Sequence, residues 1–329
     1  MRKIIVSSTI STARFVIRDT LVCVLVIAAA FNGAAAQEQS PPAVVLAAGD
    51  IADCQKSVFS RFLYNVLGIN FDSGAPATAS VLKRLPATIL ALGDLAYPDG
   101  SKADFHGCYD RTWGRYKDRT KPVPGNHEYR SLDAEPYFAY WGERAGKPRR
   151  GYDSFDVGAW HLIALDSNIE ATRNSVQGRW LRRDLLKTRT RCILAYWHHP
   201  IQSSGRVGDS PRLIPLLRIL YKHGASIVLA GHAHSYERFA PQDPDGLLNR
   251  ETGIRQFVVG TGGATLRPMI QRHKTSEVFY SDGWGLLKLT LHDDRYAWEF
   301  IATDKTEFQD SGTAPCVRRP PLAGADHGG

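Results

Sequence analysis

Short apolar runs recur along the chain, and each ends in a small polar cluster. "AVVLAAGD" (43–50) and "ATILALGD" (87–94) read as buried strands that stop in polar loops. "CILAYWHHP" (192–200) and "ASIVLAGH" (225–232) repeat the design, with histidines at the end. Between such runs the period changes. In "SVQGRWLRRDLLKT" (175–188), Trp180, Leu181, Leu185 and Leu186 fall on one helix face. "SPRLIPLLRILYKHG" (210–224) predicts a helix opened by Ser210-Pro211 and stopped by Gly224. "SFDVGAWHLIALD" (154–166) and "GWGLLKLTLHDDRYAWEFIA" (283–302) predict hairpins. Strands alternating with helices predict an α/β domain whose sheet faces are covered by helices. Strand-end residues then gather at one edge, where open α/β sheets bind ligands. One catalytic domain over residues 43–317 accounts for the pattern.

The first stretch follows a different rule. Arg2, Lys3, Arg14 and Arg18 precede the apolar run "LVCVLVIAAAF", and small residues follow it. This predicts a signal peptide over residues 1–36, cut after Ala36. The run is short for a membrane span, so an uncleaved anchor is the lesser alternative. Neither a twin-arginine motif nor a good lipoprotein cleavage site at Cys23 is present. Residues 37–42 and the Pro/Gly-rich 318–329 are expected to be disordered. Export makes the expected location secreted or periplasmic, with no stable membrane insertion after cleavage.

The 329 residues are 43% hydrophobic and 22% charged, an ordinary globular balance. The net charge of +8 falls to +5 once four basic residues and one acidic residue leave with 1–36. That excess suits anionic substrates, but no dense basic run points to specific nucleic-acid binding. Cys54, Cys108, Cys192 and Cys316 remain, an even number compatible with two disulfides. The sequence leaves the oligomeric state open.

The chemistry sits after the strands. Asp50, Asp94, Asn126 with His127, His198, and His232 with His234 each follow an apolar run, and glycine precedes four of these sites. Taken singly, Gly-Asp and Gly-Asn are turn vocabulary, and a His-x-His pair is compatible with a solvated strand end. Five such clusters in order are hard to attribute to turns. Two carboxylates, an amide oxygen and three imidazoles suffice for two cations. A bridging aspartate can hold such a pair about 3.5–4 Å apart. Mixed oxygen and nitrogen donors suit iron, manganese or zinc rather than calcium.

The series GD…GDxxY…GNHE…H…GHxH over residues 44–240 resembles the calcineurin-like metallophosphoesterases. "GDLAY" with Tyr97 and "GHAHSYER" narrow the resemblance to the purple acid phosphatases and their bacterial relatives. It implies a four-layer sandwich: two mixed sheets face to face, with helices outside. It also implies a metal held by Asp50, Asp94, Tyr97 and His234, and a second held by Asp94, Asn126, His198 and His232. Many members of the wider superfamily carry a histidine two residues after the first aspartate, where this chain has Ala52. Tyr97 replaces that ligand, and a phenolate favours a trivalent ion, so Fe3+ is expected first and Fe2+, Zn2+ or Mn2+ second.

The function implied is an exported, acid phosphatase-like hydrolase of phosphate monoesters that attacks with a metal-bound hydroxide. Its partner would be a small phosphorylated substrate. A phosphodiesterase with the same metals and a non-catalytic exported binding protein are the alternatives. His127 is the candidate general acid, and Asn126, His127 and Arg206 are candidate phosphate contacts. The match weakens after His198, where "IQSSGRVGDS" holds none of the extra histidines of animal and plant relatives. Ser203 and Ser204 are weighed there as phosphate contacts against solvated loop residues. Glu237 and Arg238 are expected to form a structural pair, and His161 to be a satisfied strand residue. Because Cys54 and Cys108 each follow a metal-binding strand end, they are expected to pair, leaving Cys192 with Cys316.

Overall fold

The computed structural model describes residues 41–54, 73–147, 149–304 and 306–317; the expected signal peptide, residues 37–40 and the tail 318–329 lie outside them. The run "VVLAAG" predicts a strand buried on both faces, and β1 (Ala43–Ala48) is one, with Val45 to Ala48 fully covered. It pairs in parallel with β3 (Thr88–Leu92), which pairs in parallel with β5 (Thr120–Val123). On its other side β1 meets β13 (Gly285–Leu291), antiparallel, followed by β14 (Arg295–Ala302) and β15 (Ser311–Pro315). The first sheet thus runs β15-β14-β13-β1-β3-β5 and is mixed.

The second sheet is built from β6 (Asp153–Val157), β7 (Trp160–Ala164), β8 (Cys192–Tyr196), β9 (Ile227–Ala230), β10 (Tyr236–Phe239), β11 (Arg255–Val259) and β12 (Ser276–Tyr280). Its order is β12-β10-β11-β9-β8-β7-β6. Both predicted hairpins are present, as β6–β7 and β13–β14. A short parallel pair, β2 (Ala52–Asp53) with β4 (Ala96–Tyr97), links the two loops that leave β1 and β3.

Alternation along the strands sorts side chains into layers. Leu162, Leu194 and Leu229 join Leu46, Leu90 and Leu289 in the core between the sheets. Ile163, Ile193 and Val228 face the other way, against α4 (Val176–Lys187) and α5 (Ile214–Lys222). The helix α1 (Ala75–Arg84) packs on the first sheet through Val81 and Leu82. Two short helices, α2 (Lys102–Gly107) and α3 (Glu135–Trp141), add Phe105, Tyr137 and Trp141. These are the four layers the resemblance implies.

The face of α4 differs from the expected one. Leu181 and Leu185 are buried, but Trp180 is only half-buried and Leu186 is 55% exposed. Gln177 and Gly178 complete the stripe instead. Gln177 brackets the end of β7, accepting from Asp166 N at 2.7 Å and donating to Asp166 O at 2.9 Å. Gln177 lines up with Leu181 and Leu185 at four-residue spacing, whereas Leu186 falls about 100° past that stripe.

Both disulfides have the expected pairing, Cys54–Cys108 and Cys192–Cys316. The second joins the start of β8 to the residue after β15, so it ties the edge of one sheet to the centre of the other.

Candidate metal centre

Every strand-end residue named by the sequence lies on a loop at the carboxyl edge of the two sheets. Four of them adopt a backbone conformation that L-residues rarely take: Asp50 (φ 58°), Asp94 (φ 50°), His232 (φ 69°) and His234 (φ 51°). Each such residue costs about 1–3 kcal/mol and persists only where its surroundings hold it. Here they do: Asp50 N donates to Gly93 O at 3.0 Å, and Ile51 N to Asp94 O at 2.9 Å. Glycine is needed where loops and carboxylates touch. A Cβ at Gly125 would lie 2.1 Å from Asp94 Oδ1, and one at Gly231 would lie 2.8 Å from Asp50 Oδ2.

The side chains converge into two sets. In the first, Tyr97 Oη is 2.8 Å from Asp50 Oδ1, 3.0 Å from Asp94 Oδ2 and 3.1 Å from His234 Nε2. In the second, His198 Nε2 is 3.1 Å from Asn126 Oδ1, 3.2 Å from His232 Nδ1 and 3.3 Å from Asp94 Oδ2. Asp94 Oδ2 belongs to both. Asp50, Asp94 and His198 are buried, and their donor atoms lie within 4.8 Å of one another.

The ring orientations are set from behind. His198 Nδ1 donates to Leu92 O at 2.8 Å, and His234 Nδ1 donates to Thr265 O at 2.7 Å. A carbonyl only accepts, so each Nδ1 carries its hydrogen, and each Nε2 is left facing the carboxylates as the nitrogen that can give a lone pair to a cation. This is how metal-ligating histidines are usually held.

The electrostatics fit the same chemistry. Burial opposes charge on Asp50 and Asp94, but His234 beside the first and His198 beside the second outweigh it and hold both carboxyls below their ordinary range. For His198, burial lowers the pKa, yet Asp94 and Asp50 raise it to about 9. Burial, then the facing carboxylates, push the Tyr97 phenol well above its ordinary value. A phenol so placed ionises only if a cation joins it, and the converging carboxylate, phenol, amide and imidazole donors fit hard or borderline cations.

The calcineurin-like phosphoesterase profile matches residues 26–236, more than half of the chain. The chain belongs to this family. It is 28% identical over 238 residues to purple acid phosphatase 15 of Arabidopsis thaliana, covering 60% of this chain and 43% of that protein. It therefore spans less than half the length of that curated relative. Its fold is similar to that of a purple acid phosphatase from yellow lupin (Lupinus luteus) seeds, with a TM-score of 0.67 at 18% identity over 85% of this chain and 54% of that one. GAP50, the anchor in the inner membrane complex of Plasmodium, is similar over 85% of this chain and 90% of that chain, with a TM-score of 0.58 at 15% identity. Both likenesses are of fold alone.

Around the centre of this phosphoesterase-family chain, other expected residues fare differently. His127 sits beside the first set, its Nε2 3.8 Å from Asp94 Oδ2 and its ring centroid 4.3 Å from that of Tyr97. Its backbone N–H donates to Asp94 Oδ1 at 2.9 Å and its Nδ1 to Pro98 O at 2.5 Å. Arg206 is exposed and forms no ion pair among the described residues. Ser203 and Ser204 are buried rather than solvated: Ser203 N donates to Asp209, and Ser204 N donates to Glu237 Oε2 at 2.9 Å. Glu237 and Arg238 do not pair. As neighbours on β10 they point to opposite faces, Glu237 toward Ser204 and Arg238 toward Asp310 and Glu277. His161 is satisfied as expected, between Asp156 at 2.6 Å and Asp184 at 2.8 Å.

Two contributors were not read from the sequence. Glu128 is fully buried and accepts from backbone N–H groups on both the Asp94 and the Gly125 loops. His199 stands 4.5 Å, ring to ring, from His232 and bonds Ser167 and Arg212. Burial, then the charge on His198, pushes His199 down to about 2 and His232 to about 4. The "GNHE" and "WHHP" strings hold both residues, but nothing local says which way their side chains turn.

Proposed function

We propose that this protein is an exported phosphatase that hydrolyses small phosphate monoesters with two metal ions. Fe3+ would be held by Asp50, Asp94, Tyr97 and His234. A divalent ion (Fe2+, Zn2+ or Mn2+) would be held by Asp94, Asn126, His198 and His232. One observation carries the reading: Asp94 Oδ2 is 3.0 Å from Tyr97 Oη and 3.3 Å from His198 Nε2, so a single carboxylate oxygen is shared by both donor sets. When bound, the cations neutralise phosphoryl charge and make a water molecule acidic enough to supply the nucleophile.

The chain's own groups do the rest. The amide of Asn126 is half-exposed beside this centre and can donate to a phosphoryl oxygen. His127 Nδ1 is committed to Pro98 O, which leaves Nε2 facing the site from a side chain 17% exposed. That nitrogen, once protonated, is within reach of a leaving-group oxygen and can give it a proton. Family membership supports phosphoester chemistry, and the basic mature chain suits an anionic substrate. Export is supported by the leader-like residues 1–36 and by two disulfides, which persist in oxidising compartments. Among the described residues, no helix is long and apolar enough to cross a membrane.

Metal analysis of purified protein together with turnover of paired mono- and diester substrates tests the reading. Two metals per chain with monoester turnover is the expected result. Diester turnover alone reassigns the substrate class, and two bound metals without turnover makes the chain a binding protein.

A further inference from the structure

The loop of residues 201–210 brings no histidine toward the site, yet a third imidazole, His199, stands against the rings of His198 and His232. His199 has a ring nitrogen within 4.8 Å of the donor nitrogens of His198 and His232. On distance alone it is a further ligand of the second metal. Its hydrogen bonds say otherwise. Arg212 Nη2 lies 3.3 Å from His199 Nδ1, and a guanidinium only donates, so Nδ1 must offer a lone pair. Ser167 Oγ, 2.8 Å from the same nitrogen, accepts from the backbone N–H of His199 at 3.1 Å and is free to donate its own hydrogen. With Nδ1 used as an acceptor, a neutral ring carries its hydrogen on Nε2. That nitrogen is a donor and has no lone pair for a metal.

Arg212 is the second half of the arrangement. It is exposed, and no carboxylate lies within ion-pair distance of it among the described residues. One of its N–H groups is used on His199, which leaves the others for an anion. The pair therefore borders the His198–His232 side of the centre with two kinds of donor and one fixed positive charge.

We propose that His199, through Nε2–H, and Arg212 bind the phosphoryl oxygens of the substrate, and that His199 does not ligate metal. This rests on the dinuclear reading above. It also fills the role that the loop of residues 201–210 leaves open.

The test uses metal-loaded full-length protein and inorganic phosphate as the probe. Metal content is measured by mass spectrometry and phosphate affinity by calorimetry, for wild type, His199→Ala, His199→Gln and Arg212→Ala. All four are expected to keep two metals per chain. Phosphate affinity should fall at least about tenfold in both alanine variants, the size of one lost charge-assisted hydrogen bond. His199→Gln, which restores an N–H donor, should recover part of it. Loss of the second metal from His199→Ala would make that residue a ligand and overturn the proposal. Unchanged phosphate affinity in both alanine variants overturns it too. Because Arg212 is exposed, its variant reports even if the His199 variants fold poorly. A wild type that binds phosphate without hydrolysing any ester sinks the catalytic reading and leaves this one standing.

Discussion

Glu128 Oε2 accepts the backbone N–H of Asp94 at 2.9 Å. The same carboxylate takes Gly125 N at 2.7 Å and Leu95 N at 2.8 Å, so one buried side chain fixes the two loops that present Asp94 and Asn126. Burial, then the charge on Asp94, raises its pKa to about 7, and the backbone donors act against that rise. Glu128→Ala would leave several buried N–H groups unpaired, at about 1–3 kcal/mol each. We expect a loss of at least about 3 kcal/mol in urea denaturation, with metal content falling as well. Unchanged stability and full metal content would show that the loops hold themselves.

That residue also marks the limit of what the sequence tells. Asp50, Asp94, His198, His232 and His234 were legible because each ends an apolar run, and strand ends of an α/β sheet meet at one edge. Strands β1, β3, β8 and β9 and both hairpins followed from the same periodicity, whereas the pair of mixed sheets followed from the family resemblance. Glu128 was not legible, because its role is to join its own loop at Gly125 to backbone groups more than thirty residues away. The Ser204–Glu237 and Arg212–His199 contacts also join separate segments, and no local pattern encodes them. The expected Glu237–Arg238 pair failed for a simpler reason: adjacency in sequence is opposition on a strand.

His161 offers a pH test away from the metal centre. Burial lowers its pKa, but Asp184 and Asp156 raise it further, so the folded value lies above the ordinary 6.5. A raised histidine pKa gives stability that is fully present below the unfolded value and lost as pH rises through the folded one. His161→Gln should therefore cost about 1–3 kcal/mol at about pH 5.5 and less at about pH 9. Asp184 supplies most of this, because Asp156 is 58% exposed and its pairing is screened. Thermal melts of both proteins across that range check it. A difference that stays constant or grows with pH would contradict the assignment.

Tyr97 distinguishes the proposed first metal from an ordinary divalent site. Its oxygen lies 2.8 Å from Asp50 Oδ1, and Ala52, two residues after Asp50, supplies no ligand. Bound to Fe3+, a phenolate gives the protein a visible charge-transfer colour. Tyr97→Phe removes that oxygen and leaves a ring of nearly equal size, so the fold should survive while the colour is lost. Absorption spectra of the two iron-loaded proteins decide it. An unchanged band would remove Tyr97 from the ligand set.

His232 and His234 are two residues apart in sequence, yet they lie in different donor sets. His232 Nδ1 is 3.2 Å from His198 Nε2, whereas His234 Nε2 is 3.1 Å from Tyr97 Oη. Each alanine variant should abolish hydrolysis, but by emptying different sites. His232→Ala takes a ligand from the proposed divalent site, so the trivalent ion assigned to Asp50, Asp94, Tyr97 and His234 should stay, and the colour with it. His234→Ala weakens the trivalent site, so iron content and colour should both fall. Both residues hold left-handed backbone conformations that histidine tolerates better than bulky or β-branched residues, and alanine adds strain there. Circular dichroism should accompany the metal analysis, so that unfolding is not mistaken for the loss of one ligand. Two folded variants that lose the same metal, or either one at full activity, would defeat the division of the centre into two sites.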